Sequence, residues 1–323
     1  MTTNLVFVVL EPTLDYYFDQ FIRIKRATRR PRTVEWYTNT YRYYKAASAD
    51  LGPDWPPTPA HSLAFFKMFT QHDLADASRS NYFRGVRAFF NWLVKMGHLD
   101  RNPLLLVGQV KAPRPLPKSP DEEEVAELLK TVSDFIREDK KHRSWQSTRD
   151  LAMFSVALDT GARLNELVAM SMPDLSLKRK QIQVFSWKDR EGRVLTLSDE
   201  TIADLTPWYD LRRKMKPPKT LKSLWLSNYQ NKGLRPLTGN GIAQRLRYWL
   251  KKADIPHFSM NQMRHAFAVF SLRNGADLID IRDQMGHANL KTTAIYLEVV
   301  NKGRGERHQK TSPRKNLPFD SCK

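Results

Sequence analysis
The chain has 323 residues, enough for roughly two domains of ~100–200 residues, and carries 53 Lys and Arg against 34 Asp and Glu, a formal charge of +19. Such an excess of cations favours a polyanionic partner, with nucleic acid the leading candidate. No segment approaches the ~18 apolar residues that a spanning helix needs. The run Leu5–Leu10 has no basic flank and ends at Glu11-Pro12, so it does not read as a signal peptide, and the single cysteine, Cys322, excludes an intrachain disulfide framework and fits a reducing cytoplasm.

Residues 11–110 predict helices only. Leu14, Phe18, Phe21 and Ile22 recur at helical spacing, and a second helix is expected from an N-cap at Thr33 through the aromatic run ending at Tyr44. The basic cluster Arg23, Lys25, Arg26, Arg29, Arg30 and Arg32 is expected between these two helices, as phosphate contacts or as a solvated loop. Pro53, Pro56, Pro57 and Pro59 break the chain; further helices follow over 60–72 and from Ser78 to a stop at Gly97. Asn102-Pro103 and the proline-rich run Lys111–Pro120 read as neither helix nor central strand, which makes 111–120 the interdomain linker.

Beyond the linker, Asp121-Glu-Glu-Glu124 suits a helix N-terminus, and Thr148–Leu158 reads as a buried helix. Gly161 allows a sharp turn into a new helix with Arg163 in its first turn; Glu166, three residues on, shares that face and is able to hold the guanidinium, so a purely structural pair stays open. Gln181–Trp187 and Arg193–Leu197 alternate as two strands of a hairpin with a charged tip, Lys188–Gly192. Thr238 caps a helix carrying Arg245 and Arg247. The stretch from Met263 to Tyr296 predicts three short helices, the first ending at Gly275, the second capped by Asp277 and stopped by Gly286, the third beginning near Asn289 and carrying Tyr296. A cation (Arg264), two imidazoles (His265, His287) and a phenol (Tyr296) gather there without a carboxylate or cysteine cluster able to hold a metal, a set suited to phosphate chemistry done by tyrosine.

That stretch resembles the C-terminal signature of the tyrosine recombinases (phage-integrase family), an H-x-x-R-H run followed by G-H and a nucleophilic tyrosine. Arg264-His265, Gly286-His287 and Tyr296 occupy those places, with 23 residues from Arg264 to His287 and 9 from His287 to Tyr296. One position departs: Asn261 stands where the leading histidine would be. Thr160-Gly-Ala-Arg-Leu-Asn-Glu-Leu167 is similar to the family's first arginine motif, and Ser80-Asn-Tyr82, Phe90-Asn-Trp-Leu93 and Gly97–Pro103 resemble the end of its helical core-binding domain. The helix Leu237–Leu250, with Arg245 and Arg247, resembles the family helix that lies against DNA. Members carry a catalytic lysine near a hairpin tip, and counting back from Leu197-Ser198 gives Lys188 that place.

The resemblance implies a mainly α fold with a small β-sheet in the C-terminal domain: a core-binding domain (1–110), linker (111–120), an α+β catalytic domain (121–300) and a basic tail (301–323). The tail has seven Lys and Arg against two acidic residues; it reads as disordered, or as a segment docking on a neighbouring subunit with Leu317 and Phe319 as anchors. The expected activity is site-specific cleavage and rejoining of double-stranded DNA by a homotetramer on two sites, cytoplasmic and nucleoid-associated, with no membrane contact. No arm-binding domain is expected ahead of the core-binding one. Arg163 and Arg264 would clamp the nonbridging oxygens with forked hydrogen bonds, Tyr296 would attack phosphorus to give a 3′-phosphotyrosyl link, Lys188 would protonate the departing 5′ oxygen, His287 would bond the phosphate and His265 would support the site from behind. Covalent trapping conserves the ester, so no cofactor or metal is called for; neither a P-loop nor a Cys/His zinc pattern is present.

Asn261 tests this scheme, because an amide forms hydrogen bonds but cannot take Tyr296's proton as a histidine can. Two competitors follow: a non-catalytic DNA-binding protein derived from a recombinase, for which Asn261 is the support, and a type IB topoisomerase-like enzyme that nicks and relaxes DNA as a monomer.

Overall fold
The computed structural model describes residues 12–108, 116–138, 145–185, 192–228 and 233–300. Lys188, much of the proline-rich linker and the tail with Leu317, Phe319 and Cys322 lie outside the described residues. The chain divides into two units, Met1–Pro115 and Leu116–Lys323, with the division inside the proline-rich run.

In the first unit, helices α1 (Leu14–Thr28), α2 (Pro31–Ala47), α3 (Pro59–Gln71), α4 (Asp76–Lys95) and α5 (Pro103–Val107) enclose an aromatic core. Phe18 stacks on Tyr41 at 3.7 Å and meets Phe89 edge-on at 5.2 Å, the second being the contact that aromatic quadrupoles favour. Three expectations need correction here. The second helix begins at Pro31 and not after Thr33, because proline at the first helical position loses only an N–H that would have no partner anyway. The same rule overturns the reading of Asn102-Pro103 as non-helical: Asn102 caps α5 by accepting from the Leu104 N–H at 3.0 Å, and Pro103 is its first residue. With α1 and α2 so close, the basic cluster is not an interhelical loop. Arg23, Lys25 and Arg26 ride on α1, Arg29 and Arg30 form the junction, and Arg32 is in α2.

The second unit begins with α6 (Glu122–Glu138), where Asp121 accepts from the Glu124 N–H at 2.8 Å and Glu124 returns a bond to the Asp121 N–H at 2.9 Å, a capping box. Then follow α7 (Trp145–Thr160), α8 (Leu164–Ala169), strands β1 (Leu175–Ser176), β2 (Gln181–Phe185) and β3 (Gly192–Thr196), α9 (Asp199–Lys214), β4 (Leu226–Ser227), β5 (Arg235–Pro236), and helices α10 (Gly239–Lys252), α11 (Met260–Arg273), α12 (Leu278–Met285) and α13 (Leu290–Val300). The strands form two small antiparallel sheets, β1-β2-β3 and β4-β5. The fold is therefore mainly α with small sheets in the C-terminal unit. The buried helix α7 packs on α6, α9 and α11 around Met153, Phe154, Trp208, Trp225 and Trp249. In the β2–β3 hairpin Ile182 pairs with Leu195 and Val184 with Arg193, so Arg193 shares the inward face with buried aliphatic residues.

Candidate active site
Local sequence sets each functional side chain. Gly161 has φ of 58°, and a Cβ there would come within 2.4 Å of the Phe267 ring, so the turn closing α7 requires glycine. That turn makes Arg163 the N-cap of α8, one position before the first turn expected for it, with extended backbone and its Nη1 bonded to Glu166 in the helix's first turn. Ser259 and Gln262 cap α11 reciprocally, with the Ser259 N–H donating to Gln262 at 2.9 Å, and this fixes Arg264 and His265 in the helix's second turn. Asp277 caps α12 by accepting from the Ile279 N–H at 2.6 Å, and Gly286, left-handed at φ 62°, ends it and points His287 back to the site.

Three guanidinium groups cap three successive carbonyls at the C-terminal end of α12. Arg193 Nε donates to the Gln284 carbonyl (2.9 Å), Arg264 Nη2 to Met285 (2.8 Å) and Arg163 Nη2 to Gly286 (2.9 Å). These are carbonyls that an α-helix leaves without partners, at its negative end. Arg264 also donates to the Gly161 carbonyl, which ties the turn before Arg163 to α11. The two arginines expected as the clamp, 101 positions apart, thus meet on adjacent carbonyls. Arg264 is 4 % exposed, whereas the Arg163 side chain is 43 % exposed and opens outward.

Among the described residues, Glu166 is the single carboxylate that holds this group. It accepts from Arg193 Nη1 and Nη2 at 3.1 and 2.8 Å, from Arg163 Nη1 at 2.9 Å and from the Arg163 N–H at 2.9 Å. Burial pushes its carboxyl up, but the bonds from Arg193 and Arg163 outweigh this and hold it down at about 2. Burial, then the charge of Arg163, lowers Arg264 to about 10, so it stays a cation at neutral pH.

Tyr296 is 2 % exposed, and its hydroxyl lies 2.6 Å from His265 Nδ1. Asn261, one turn before His265 on α11, places its amide Nδ2 3.0 Å from His265 Nε2. Burial raises the phenol above its ordinary value, with the charge of Arg264 opposing. Burial, and then Arg264, lowers His265. His287 Nδ1 lies 2.9 Å from the hydroxyl of the buried Thr293, three residues before Tyr296 on α13; burial, with Arg264 next, lowers this imidazole to about 4.

The structure therefore brings Arg163, Glu166, Asn261, Arg264, His265, His287 and Tyr296 together. Arg193 is a member the sequence reading missed; its signal was an arginine at an inward position of an alternating strand. Arg245 was expected to face DNA, but its Nε donates at 2.5 Å to the fully buried Asp150, which also accepts from Arg149 (2.6 Å) and Trp249 (2.9 Å). Arg247 is exposed on the same helix. In the first unit, Arg23, Arg26, Arg29, Arg30 and Arg32 are exposed, while the Lys25 ammonium lies 4.8 Å above the Phe21 ring. A groove of about 680 Å³ beside α2 and α4, lined by Trp36, Asn39, Arg42, Tyr43, Asn81 and Tyr82, mixes cation, amide and aromatic groups.

A mainly helical unit that brings two distant arginines onto adjacent carbonyls beside a buried tyrosine defines a class, and comparison with known proteins agrees. Residues 119–302 match the phage integrase family, and the chain belongs to it. It is similar to tyrosine recombinase XerC of Salmonella typhi, 29% identical over 291 residues covering 88% of this chain and 92% of that protein. XerC of Shigella flexneri serotype 5b (strain 8401) is 30% identical over 245 residues, covering 75% of this chain and 76% of that protein. The structure of XerH site-specific recombinase bound to palindromic difH substrate, a post-cleavage complex, shares the fold with a TM-score of 0.70 at 18% identity, covering 92% of this chain and 84% of that one. The protein is a tyrosine recombinase, an enzyme that cleaves and rejoins DNA through a tyrosine. No described helix is long and apolar enough to cross a membrane.

Proposed function
We propose that Tyr296 is the nucleophile, Arg163 and Arg264 the phosphate clamp, His287 a phosphate hydrogen-bond donor and Lys188 the acid for the leaving 5′ oxygen, in a recombinase acting as a tetramer on two duplex sites in the cytoplasm. The observation that carries this reading is the convergence of Arg163 and Arg264 on the Gly286 and Met285 carbonyls, close enough to the phenol for Arg264 to act on its ionisation. A scissile phosphate drawn to the exposed Arg163 would meet both guanidinium forks, and its developing negative charge would be matched by fixed cations. Glu166 and Arg193 hold Arg163 in orientation without cancelling the site's charge, since three guanidinium groups face one carboxylate. Arg23, Lys25, Arg26, Arg29, Arg30, Arg32 and Arg247 supply backbone contacts in this reading. Arg245 braces α10 through its Nε bond to Asp150 and, with its side chain 25 % exposed, joins these contacts in this reading.

A nicked suicide duplex bearing the site that the protein selects from a random duplex pool tests the assignment. Wild type should form a covalent adduct and Tyr296→Phe none; an adduct with Tyr296→Phe would remove Tyr296 as nucleophile. Sedimentation with that duplex should give a complex holding two duplexes, and a strictly one-duplex complex that relaxes supercoils would favour the topoisomerase-like alternative.

A further inference from the structure
The structure assigns the proton of Tyr296 to His265: we infer that His265 Nδ1 is the base that takes the phenolic proton during cleavage and the acid that returns it on religation, and that Asn261 sets which of these His265 is able to do. The inference rests on Tyr296 being the nucleophile and goes beyond that reading, in which His265 only supports the site from behind and Asn261, an amide, takes no proton.

Three observations support it. His265 Nδ1 is 2.6 Å from the reacting oxygen, within the range for direct proton transfer, and Asn261, His265 and Tyr296 form one continuous chain of contacts. Asn261 sits one turn from His265 on the exposed face of α11, so its amide can reverse without disturbing the core. Finally, burial holds the phenol protonated and the imidazole neutral, the pair of states from which a base-assisted attack must start.

The amide settles the tautomer. With Nδ2 facing His265, as placed here, Asn261 donates to Nε2, the ring proton sits on Nδ1, and Nδ1–H donates to the phenolic oxygen. A half-turn of the amide presents Oδ1 instead; the ring proton then moves to Nε2, and Nδ1 offers its lone pair to the Tyr296 hydroxyl. A histidine oriented by a polar third group is the same logic that activates other nucleophiles. In cleavage the Tyr296 O–H bond breaks and its proton goes to Nδ1, giving an imidazolium; the phenolic oxygen bonds to phosphorus, the bond from phosphorus to the 5′ oxygen breaks, and that oxygen leaves with a proton from the general acid, the place expected of Lys188. Religation reverses each transfer. The first transfer is uphill in the DNA-free site beside Arg264, and the incoming phosphate supplies the negative charge that stabilises the imidazolium.

The test measures adduct formation on the suicide duplex by His265→Ala and His265→Gln, each with ordinary tyrosine and with 3,5-difluorotyrosine at position 296. General base catalysis is worth ~10²–10⁴-fold, so both variants should lose cleavage by that factor while binding the duplex like wild type. The fluorinated phenol ionises more readily, so with it the loss should shrink to below about tenfold, which a merely structural role for His265 would not produce. Cleavage by His265→Gln within about threefold of wild type, or a defect that fluorination leaves unchanged, overturns the proposal. Should wild type itself form no adduct, or Tyr296→Phe form one, the nucleophile assignment fails instead, and the two failures are told apart.

Discussion

Replacing Glu166 by glutamine removes one charge from the centre of the guanidinium group and leaves its shape. The carboxylate accepts four hydrogen bonds, two from Arg193 and two from Arg163, and is 5 % exposed. A glutamine accepts on one oxygen only and turns its NH₂ toward N–H donors, so the variant both loses bonds and sets donors against donors. Removing the buried partner of an ion pair costs about 3–5 kcal/mol, a large part of the ~5–15 kcal/mol that holds a domain together. At a urea slope of about 2 kcal/mol/M the unfolding midpoint should fall by roughly 1.5–2.5 M at pH 7. The sign with pH follows from Glu166 being held at about 2 when folded and near its ordinary 4.5 when unfolded. Its contribution is complete above the unfolded value and is lost as pH falls toward the folded one: about 3 kcal/mol at neutral pH, about half of that at pH 3. The gap between wild type and Glu166→Gln should therefore narrow steadily below pH 4.5 in urea titrations followed by far-ultraviolet circular dichroism. A midpoint shift below about 0.5 M at pH 7, or a gap independent of pH, would refute the reasoning.

Asn261→His should cleave the suicide duplex at a rate equal to or above wild type, since it adds a proton acceptor at a position whose present role is to orient His265; a collapse of cleavage would show that an imidazole there cannot replace the amide. Side-chain NMR of the free protein should show His287 titrating near pH 4, as burial and Arg264 require, and moving upward with bound duplex as phosphate charge enters. The unfolded chain takes up that proton first, so stability should also fall as pH drops from 6.5 toward 4. Gly286→Ala would put a Cβ 2.7 Å from the Arg193 guanidinium at a φ of 62°, costing ~1–2 kcal/mol in backbone alone and, where that loss falls on the clamp, about tenfold in cleavage; unchanged cleavage and melting would show that the α12 end is not held by Arg193.

The local elements of the site were legible because their signals are local. Asp277 and Gly286 bracket α12 as their cap chemistry dictates, and α13 starts at Leu290, one residue past Asn289. The pairing of Arg163 with Glu166 followed from helical spacing. What escaped was decided by contacts between distant segments. Arg193 reads as one more cation near a charged hairpin tip until the register places it opposite Val184, facing Glu166. That Arg245, a cation on an expected DNA-facing helix, also holds the buried Asp150, 95 residues away in sequence, is set by the tertiary fold. The role of Asn261 likewise depends on His265 being aimed at a phenol 31 positions later.

The account rests on Arg163 and Arg264 neutralising one phosphate, and charge deletion on the DNA tests this most directly. Cleavage by Arg163→Ala and Arg264→Ala should be compared on the selected duplex with its natural scissile phosphate and with an uncharged methylphosphonate there. If the arginines act on that charge, each variant should lose at least about 10²-fold on the phosphate and far less on the neutral linkage. An equal loss on both would contradict the clamp.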